Sequence, residues 1–314
     1  NITALTPNQG INTWMIKIED GAFNVNETYV SFFLDSINPA ISFQIPTETD
    51  GSYINRTNIQ INVSASDTNL MDIIIKVYDS IYTEVANAFW TNVASNNFWF
   101  NFVTPSNGLY YFNATATDIY GNVNYTETRN VTTDTIYPTI TYSTPTTPAG
   151  GPQNVTAIWS NMTGTDTNLV TIVSTLELIS GGTAYSNTQT YTPTIAPIDS
   201  FYYNWSTLGQ GIYRLSGYAT DRAGHTTYIT NRTINIDTAA PVMNYVSPTP
   251  DDGDVLHVNS YTVNVTALDP NLVGITVYYW QLNGTVQPQT TARAVKTLTQ
   301  RLQPDGIYYF NASA

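Results

Sequence analysis

At 314 residues the chain has room for two to four domains, and a content of 42% hydrophobic and 13% aromatic residues builds cores, which excludes a disordered polymer. A net charge of −13 with no Lys/Arg cluster excludes the basic field that phosphate binding needs, and with it nucleic acid as a partner. Having no cysteine excludes disulfides, thiol catalysis and Cys-based metal sites, and no apolar run approaches the length of a membrane-spanning helix.

Taken in chain order, the same blocks keep returning. "GINTWMIKIEDGAFN" from Gly10 is followed by "DSINPAI" at Asp35, "NIQINVSASD" from Asn58 and "DTNL" at Asp67. The order then repeats as "GLYYFNATATDIYGN" from Gly108, "DTIYPTI" at Asp134 and "DTNL" at Asp166. It repeats again as "GIYRLSGYATDRAGH" from Gly211, "DTAAPVM" at Asp237 and "DPNL" at Asp269, and the chain closes on "GIYYFNASA" from Gly306. The glycines are spaced by 98, 103 and 95 residues, a period too long for a solenoid repeat and right for one small domain. Within a repeat the apolar residues alternate with polar ones. Ile59, Ile61, Val63 and Ala65 interleave with Gln60, Asn62, Ser64 and Ser66, the signature of a strand with one dry and one wet face.

About seven such strands, with turn signals every 8–12 residues, predict all-β, tandem immunoglobulin-like sandwiches in a linear array. Residues 37–135 and 136–238 are expected to form complete modules. Residues 1–36 would supply only the C-terminal strands of a module, and 239–314 a module truncated before its last strand. The register of Asn1 matches that of Trp99, and Ala314 that of Ala116, so both ends are expected to fall inside modules of a longer array. Completion of such ends by strand addition from a neighbour is the weaker alternative, because residues 1–18 duplicate the terminal register. Tyr110, Tyr213 and Tyr308, each two residues after the repeat glycine, match the start of strand F, where a tyrosine corner sits; the first repeat has Asn12 there instead.

The run "GLYYFNATATDIYGNVNYTETRNVTTDT", together with "INVSASDTNL", resembles the tandem Ig-like repeats of bacterial and archaeal cell-surface and S-layer-type proteins. "LQPDGIYYFNASA" is similar to strand F of fibronectin type III modules. The resemblance spans nearly the whole chain and implies an extracellular, cell-surface structural protein: a rod in a surface layer, stalk or filament. Neighbouring copies or other surface proteins are the implied partners, with glycans as a further candidate. An adhesin, or the spacer of a large secreted glycan-acting enzyme, is the alternative, since the fold hosts many tasks.

Asn-x-Ser/Thr stands at Asn1, Asn26, Asn55, Asn62, Asn113, Asn124, Asn130, Asn154, Asn161, Asn204, Asn231, Asn264, Asn283 and Asn311. Asn62, Asn161 and Asn264 each lie five residues before the "DxNL" Asp, and with Asn113 they are the sequons most strongly expected to carry N-linked glycans. Asn62 and Asn113 fall on the wet phase of their strands, where a sugar is accommodated. The other candidate site is acidic. In an Ig-like array, Asp35, Asp67 and Asp118 should meet at one junction, and Asp134, Asp166 and Asp221 at the next, with Asn69 and Asn168 beside them. Turn capping by each Asp on its own backbone is the favoured reading, and calcium, which takes six to eight oxygens, is the alternative.

Nothing points to an enzyme or an organic cofactor. His225 and His257 lie in different repeats, and no phosphate loop, "HExxH" or "GxSxG" is present. Pairs such as Glu48/Asp50 and Asp251/Asp252 read as solvated turns. Lys17 and Lys76 fall on outward phases, against an internal isopeptide. Trp90, Trp99, Trp159, Trp205 and Trp280 occupy different repeat positions and are expected to pack in cores rather than form a sugar platform.

Overall fold

A computed structural model describes residues 6–94, 96–193, 198–282, 284, 287–291, 295–301 and 306–314. Among these the chain is all-β, with no helix. The first segment is a single antiparallel hairpin, β1 (Gly10–Glu19) with β2 (Val25–Leu34). The repeat glycine Gly10 opens β1, the position expected of strand F, and the expected strand E falls largely on residues 1–5, outside the described residues.

The next segment holds β3 (Ala40–Gln44), β4 (Ser52–Ile54), β5 (Asn58–Ser66), β6 (Leu70–Tyr78), β7 (Glu84–Thr91), β8 (Asn96–Val103), β9 (Gly108–Asp118), β10 (Val123–Tyr125) and β11 (Arg129–Thr133). One sheet has the order β3-β5-β8; the other runs β4-β11-β9-β6-β7, with β10 also on β9 and β4 parallel to β11. The alternation seen in sequence becomes burial: Ile59, Ile61 and Val63 face Ile75, Val77 and Phe112 across the two sheets. This is the Ig-like sandwich.

The pattern recurs with β12 (Thr139–Tyr142), β13 (Gly150–Gln153), β14 (Ile158–Thr165), β15 (Leu169–Ser180), β16 (Ser186–Tyr191), β17 (Ile198–Trp205), β18 (Gly211–Asp221), β19 (Thr226–Tyr228) and β20 (Arg232–Ile236). Its sheets are β12-β14-β17 and β13-β20-β18-β15-β16, the same topology shifted along the chain. The last segment has β21 (Val242–Val246), β22 (Ser260–Leu268), β23 (Ile275–Gln281), β24 (Gln287–Thr291), β25 (Val295–Arg301) and β26 (Tyr308–Ser313). They form β21-β22-β25 and β24-β23-β26. No described sheet mixes strands from two of these segments.

Two of the three expected tyrosine corners form; the upstream residues that Tyr308 would reach lie outside the described residues. Tyr110 donates to the Ser106 carbonyl at 2.9 Å and Tyr213 to Gly209 at 3.0 Å, each four residues upstream. Asn12 takes over in the first hairpin by donating its amide to the Asn8 carbonyl at 2.7 Å, so the substitution keeps the tie. Gly217 is where the third segment packs too tightly for a side chain. A Cβ there would lie 2.3 Å from the Val173 carbonyl oxygen and 2.6 Å from the Met162 sulfur. Gly217→Ala is expected to cost about 1–3 kcal/mol by overpacking, read as a lower urea midpoint for that module alone.

Three expectations are corrected. Trp205 is core at 2% exposure, but Trp99 and Trp159 stand on outer sheet faces, 48% and 42% exposed. Their phase along β8 and β14 points them away from the opposing sheet. Glu48 is no solvated turn residue either; it is buried, receives both Arg56 Nη2 contacts at 2.7 and 2.9 Å, and accepts from Gln60 N–H. Asn62, expected on a wet face, is only 8% exposed.

Candidate functional site at the module junctions

Each junction is built from three elements: the end of the last strand of one module, and two loops of the next. The loops are the β5–β6 and β9–β10 turns in one module, and the β14–β15 and β18–β19 turns in the following one. The loops are tied to each other by backbone, Ile119 N–H to Asn69 O at 2.9 Å and Arg222 N–H to Asn168 O at 3.0 Å. The Asp residues also cap their own turns: Asp67, Asp166 and Asp269 each accept the N–H two residues on. The capping reading is therefore correct as far as it goes.

The same residues also meet across the junction. Asp35, Asp67 and Asp118 each bring one carboxylate oxygen within 4.8 Å of the others, and Asp134, Asp166 and Asp221 do the same. The second group is buried throughout, at 4%, 7% and 5% exposure. Between the modules runs a repeated amide link. Asn69 donates to the Asp35 carboxylate at 2.8 Å, Asn168 to Asp134 at 2.7 Å, and Asn271 to Asp237. Asn69 and Asn168 thus present amide nitrogen to the carboxylates rather than carbonyl oxygen. In this arrangement they are connectors: the nearest need they meet is that of an aspartate seeking a donor.

Two further residues enter the seam: Asn122, expected beside Asp118 in the same loop, and His225, to which sequence reading gave no role. Asn122 donates to both Asp118 Oδ2 at 2.7 Å and the Asp35 carbonyl at 3.2 Å. In the next junction His225 holds its place, Nδ1 lying 2.7 Å from Asp221 Oδ2, with the Tyr137 ring 4.3 Å from its own. Aromatic contacts add to the seam. Tyr120 stacks on Phe33 at 5.0 Å, and the Arg222 guanidinium lies 5.4 Å over Tyr53.

The electrostatics of the two groups differ. Burial pushes the Asp118 carboxyl up, but hydrogen bonds from the Asn122 side chain and from the backbone of Asn122 and Tyr120 outweigh it and hold the group below the usual range. Asp166 goes the other way. Burial raises it, the Asn168 N–H only partly opposes this, and the neighbouring charges of Asp134 and Asp221 raise it further. Among the described residues the one ion-pair partner of this second group is His225.

The sequons divide into two sets of six. Asn62, Asn161 and Asn264 donate their amides to the carbonyls of Ile45, Thr144 and Ser247, at 2.9, 2.7 and 3.2 Å. Asn124 donates to Pro39 O, Asn130 to Asp50 and Asn113 to Thr128. Asn26, Asn55, Asn154, Asn204, Asn231 and Asn311 are exposed, with no hydrogen bond donated by their side-chain amides among the described residues. Asn1 and Asn283 lie outside the described residues.

The first three belong to a motif that sequence reading missed. In each module a Pro-Thr pair, Pro46-Thr47, Pro145-Thr146 or Pro248-Thr249, precedes the Asn, the Thr by 15 residues. The Thr hydroxyl accepts the Asn N–H and donates to the Asn carbonyl, as for Thr47 and Asn62 at 2.8 Å each way. The constant spacing was the available signal.

No protein-family model matches the sequence, and no curated protein matches it. Among solved structures, the tetra-tandem repeat in the extending region of a large adhesion protein is similar over 97% of this chain and 81% of its own, at 16% identity and a TM-score of 0.40. The fibronectin(III)-like modules of Clostridium thermocellum CbhA match over 63% and 93%, at 15% identity and 0.29. The FN1–FN3 domains of chicken CNTN1 match over 88% and 92%, at 16% and 0.24. The fold rests on the chain's own sheets: it is a tandem array of Ig-like, fibronectin-III-like modules.

Proposed function

We propose that this chain is a distance-setting rod within an extracellular structural protein of a cell surface, such as a layer, stalk or filament, and that its junctions bind calcium. The observation that carries the reading is the amide link made three times in the same way, Asn69–Asp35, Asn168–Asp134 and Asn271–Asp237. A loop that only capped itself would have no reason to reach the preceding module in every repeat. The three residues between Asp134 and Pro138 leave few soft dihedrals, and Pro removes more, so neighbouring modules hold a preferred angle. A chain with only 11% charged residues fits one kept soluble by hydroxyls, amides and attached sugar.

Calcium suits the donors present. Asp35, Asp67 and Asp118, and likewise Asp134, Asp166 and Asp221, offer hard carboxylate oxygen, and their separation within 4.8 Å matches two ligands across one ion at ~2.3–2.6 Å each. The ion would balance like charges that otherwise repel across the seam. Small-angle scattering with calcium and with chelator tests this alongside calorimetric titration. The expected result is a stiff, extended particle with calcium and a wider range of shapes after chelation. No heat of binding and identical profiles would remove the metal and leave packing alone. A flexible particle with calcium present would overturn the rod.

A further inference from the structure

The outer face of the β12-β14-β17 sheet carries an arrangement with no structural task. Trp159 on β14 and Tyr202 on β17 are each 42% exposed, with ring centroids 5.5 Å apart. The residue paired with Trp159 across the ladder is Asn204, two positions from Tyr202 on the same face. Asn204 begins the sequon Asn204-Trp205-Ser206. Strand alternation turns Asn204 and Ser206 to solvent and buries Trp205 in the core. The Asn204 amide donates no hydrogen bond among the described residues, whereas that of Asn161, opposite Tyr202, is committed to the Thr144 carbonyl.

We propose that Asn204 carries an N-linked glycan whose first sugars lie on the Trp159–Tyr202 pair, and that Asn62, Asn161 and Asn264 stay unmodified. Attachment forms a bond from Nδ2 to the anomeric carbon of a lipid-diphosphate-linked sugar. It breaks that carbon's bond to the diphosphate, which leaves with the lipid, and one amide proton is released. A pyranose then presents its C–H face to an aromatic surface and its hydroxyls to water, which two half-exposed rings beside the attachment point are placed to receive. At Asn62 the same reaction meets an amide already donating to Ile45 O and a buried Oδ1 without a partner, so a sugar there has to displace the turn that the amide holds. Asn161 has the same buried, unpartnered Oδ1.

This rests on the extracellular reading, but its test does not. The full 314-residue chain is secreted from a eukaryotic host that supplies the N-glycosylation machinery, and the monomeric fraction is mapped by glycopeptide mass spectrometry. Sugar is expected on Asn204 and none on Asn62, Asn161 or Asn264. An unmodified Asn204, or occupied Asn62, Asn161 or Asn264 in folded monomer, overturns the assignment whatever the native location. The stacking is read separately. Full enzymatic deglycosylation is expected to lower the melting temperature of the parent, and a Trp159→Ala/Tyr202→Ala variant, with Asn204 still occupied, is expected to lose most of that drop. An equal drop in both means that the rings do not hold the sugar. Because both rings lie on the outer face, the variant keeps its core.

Discussion

Phe112→Ala is expected to destabilise the second module by about 3–5 kcal/mol while leaving the third where it was. Phe112 is fully buried, edge-on to Phe43 at 5.4 Å, and sits among Ile59, Ile61, Val63, Ile75 and Val77 between the two sheets. Truncation removes the six ring carbons from a region whose neighbours are themselves locked in strands and cannot collapse into the gap. The core of the third module, around Ile158, Met162, Leu215 and Trp205, shares none of these residues. Hydrogen exchange read peptide by peptide in the full chain should therefore rise across 40–133 and stay unchanged across 139–236. An equal rise in both would mean that the two sandwiches unfold as one cooperative unit, and the picture of separate cores joined by seams would fail.

The second large effect is predicted for a residue with no hydrophobic role. Thr47→Val keeps the shape of the side chain but removes the oxygen that accepts the Asn62 N–H and donates to its carbonyl. The Asn62 backbone lies in the buried strand β5, and water does not reach it freely, so the amide is left without an acceptor. A loss of about 1–3 kcal/mol follows from that unsatisfied donor. Thr49→Val, two residues on and exposed, is the control and is expected to stay within about 0.5 kcal/mol. The readout is the urea midpoint at unchanged slope. If the two variants unfold alike, the Thr–Asn clasp contributes nothing and the repeated spacing has another cause.

Much of the architecture is legible in the sequence because alternation and turn chemistry are local. Ile59, Ile61 and Val63 announce their dry face by phase alone, and the repeat glycines, tyrosines and Asp…Pro blocks mark where strands begin and end. The meeting of Asp35, Asp67 and Asp118 is also legible, since a sandwich of known topology brings those loops to one end. What the sequence hid was direction. Asn62, Asn161 and Asn264 share a register, and that regularity reads equally as a repeated attachment point and as a repeated structural tie. Only the fold shows the amide pointing back at Ile45, Thr144 or Ser247. For Asn69 and Asn168 the sequence gives the residue and its neighbourhood, but which end of the amide faces the carboxylate depends on donors and acceptors more than thirty residues away. Trp99 and Trp159 show the same limit: a large aromatic in a strand is core or surface by one step of phase.

The amide link has a consequence for how such a chain changes over generations. Module 37–135 carries Asn69, Asp118 and Asn122 at the end that meets the preceding segment, and the accepting carboxylate Asp134 at the other; module 136–238 carries Asn168, Asp221 and His225, then Asp237. Both of these modules therefore hold the two halves of the joint. A duplicated or deleted gene segment of one period leaves each new seam with a matching Asp and Asn, so reach can lengthen or shorten by whole modules without a compensating mutation. The seam constrains what can vary within it, and in return frees the number of repeats to drift.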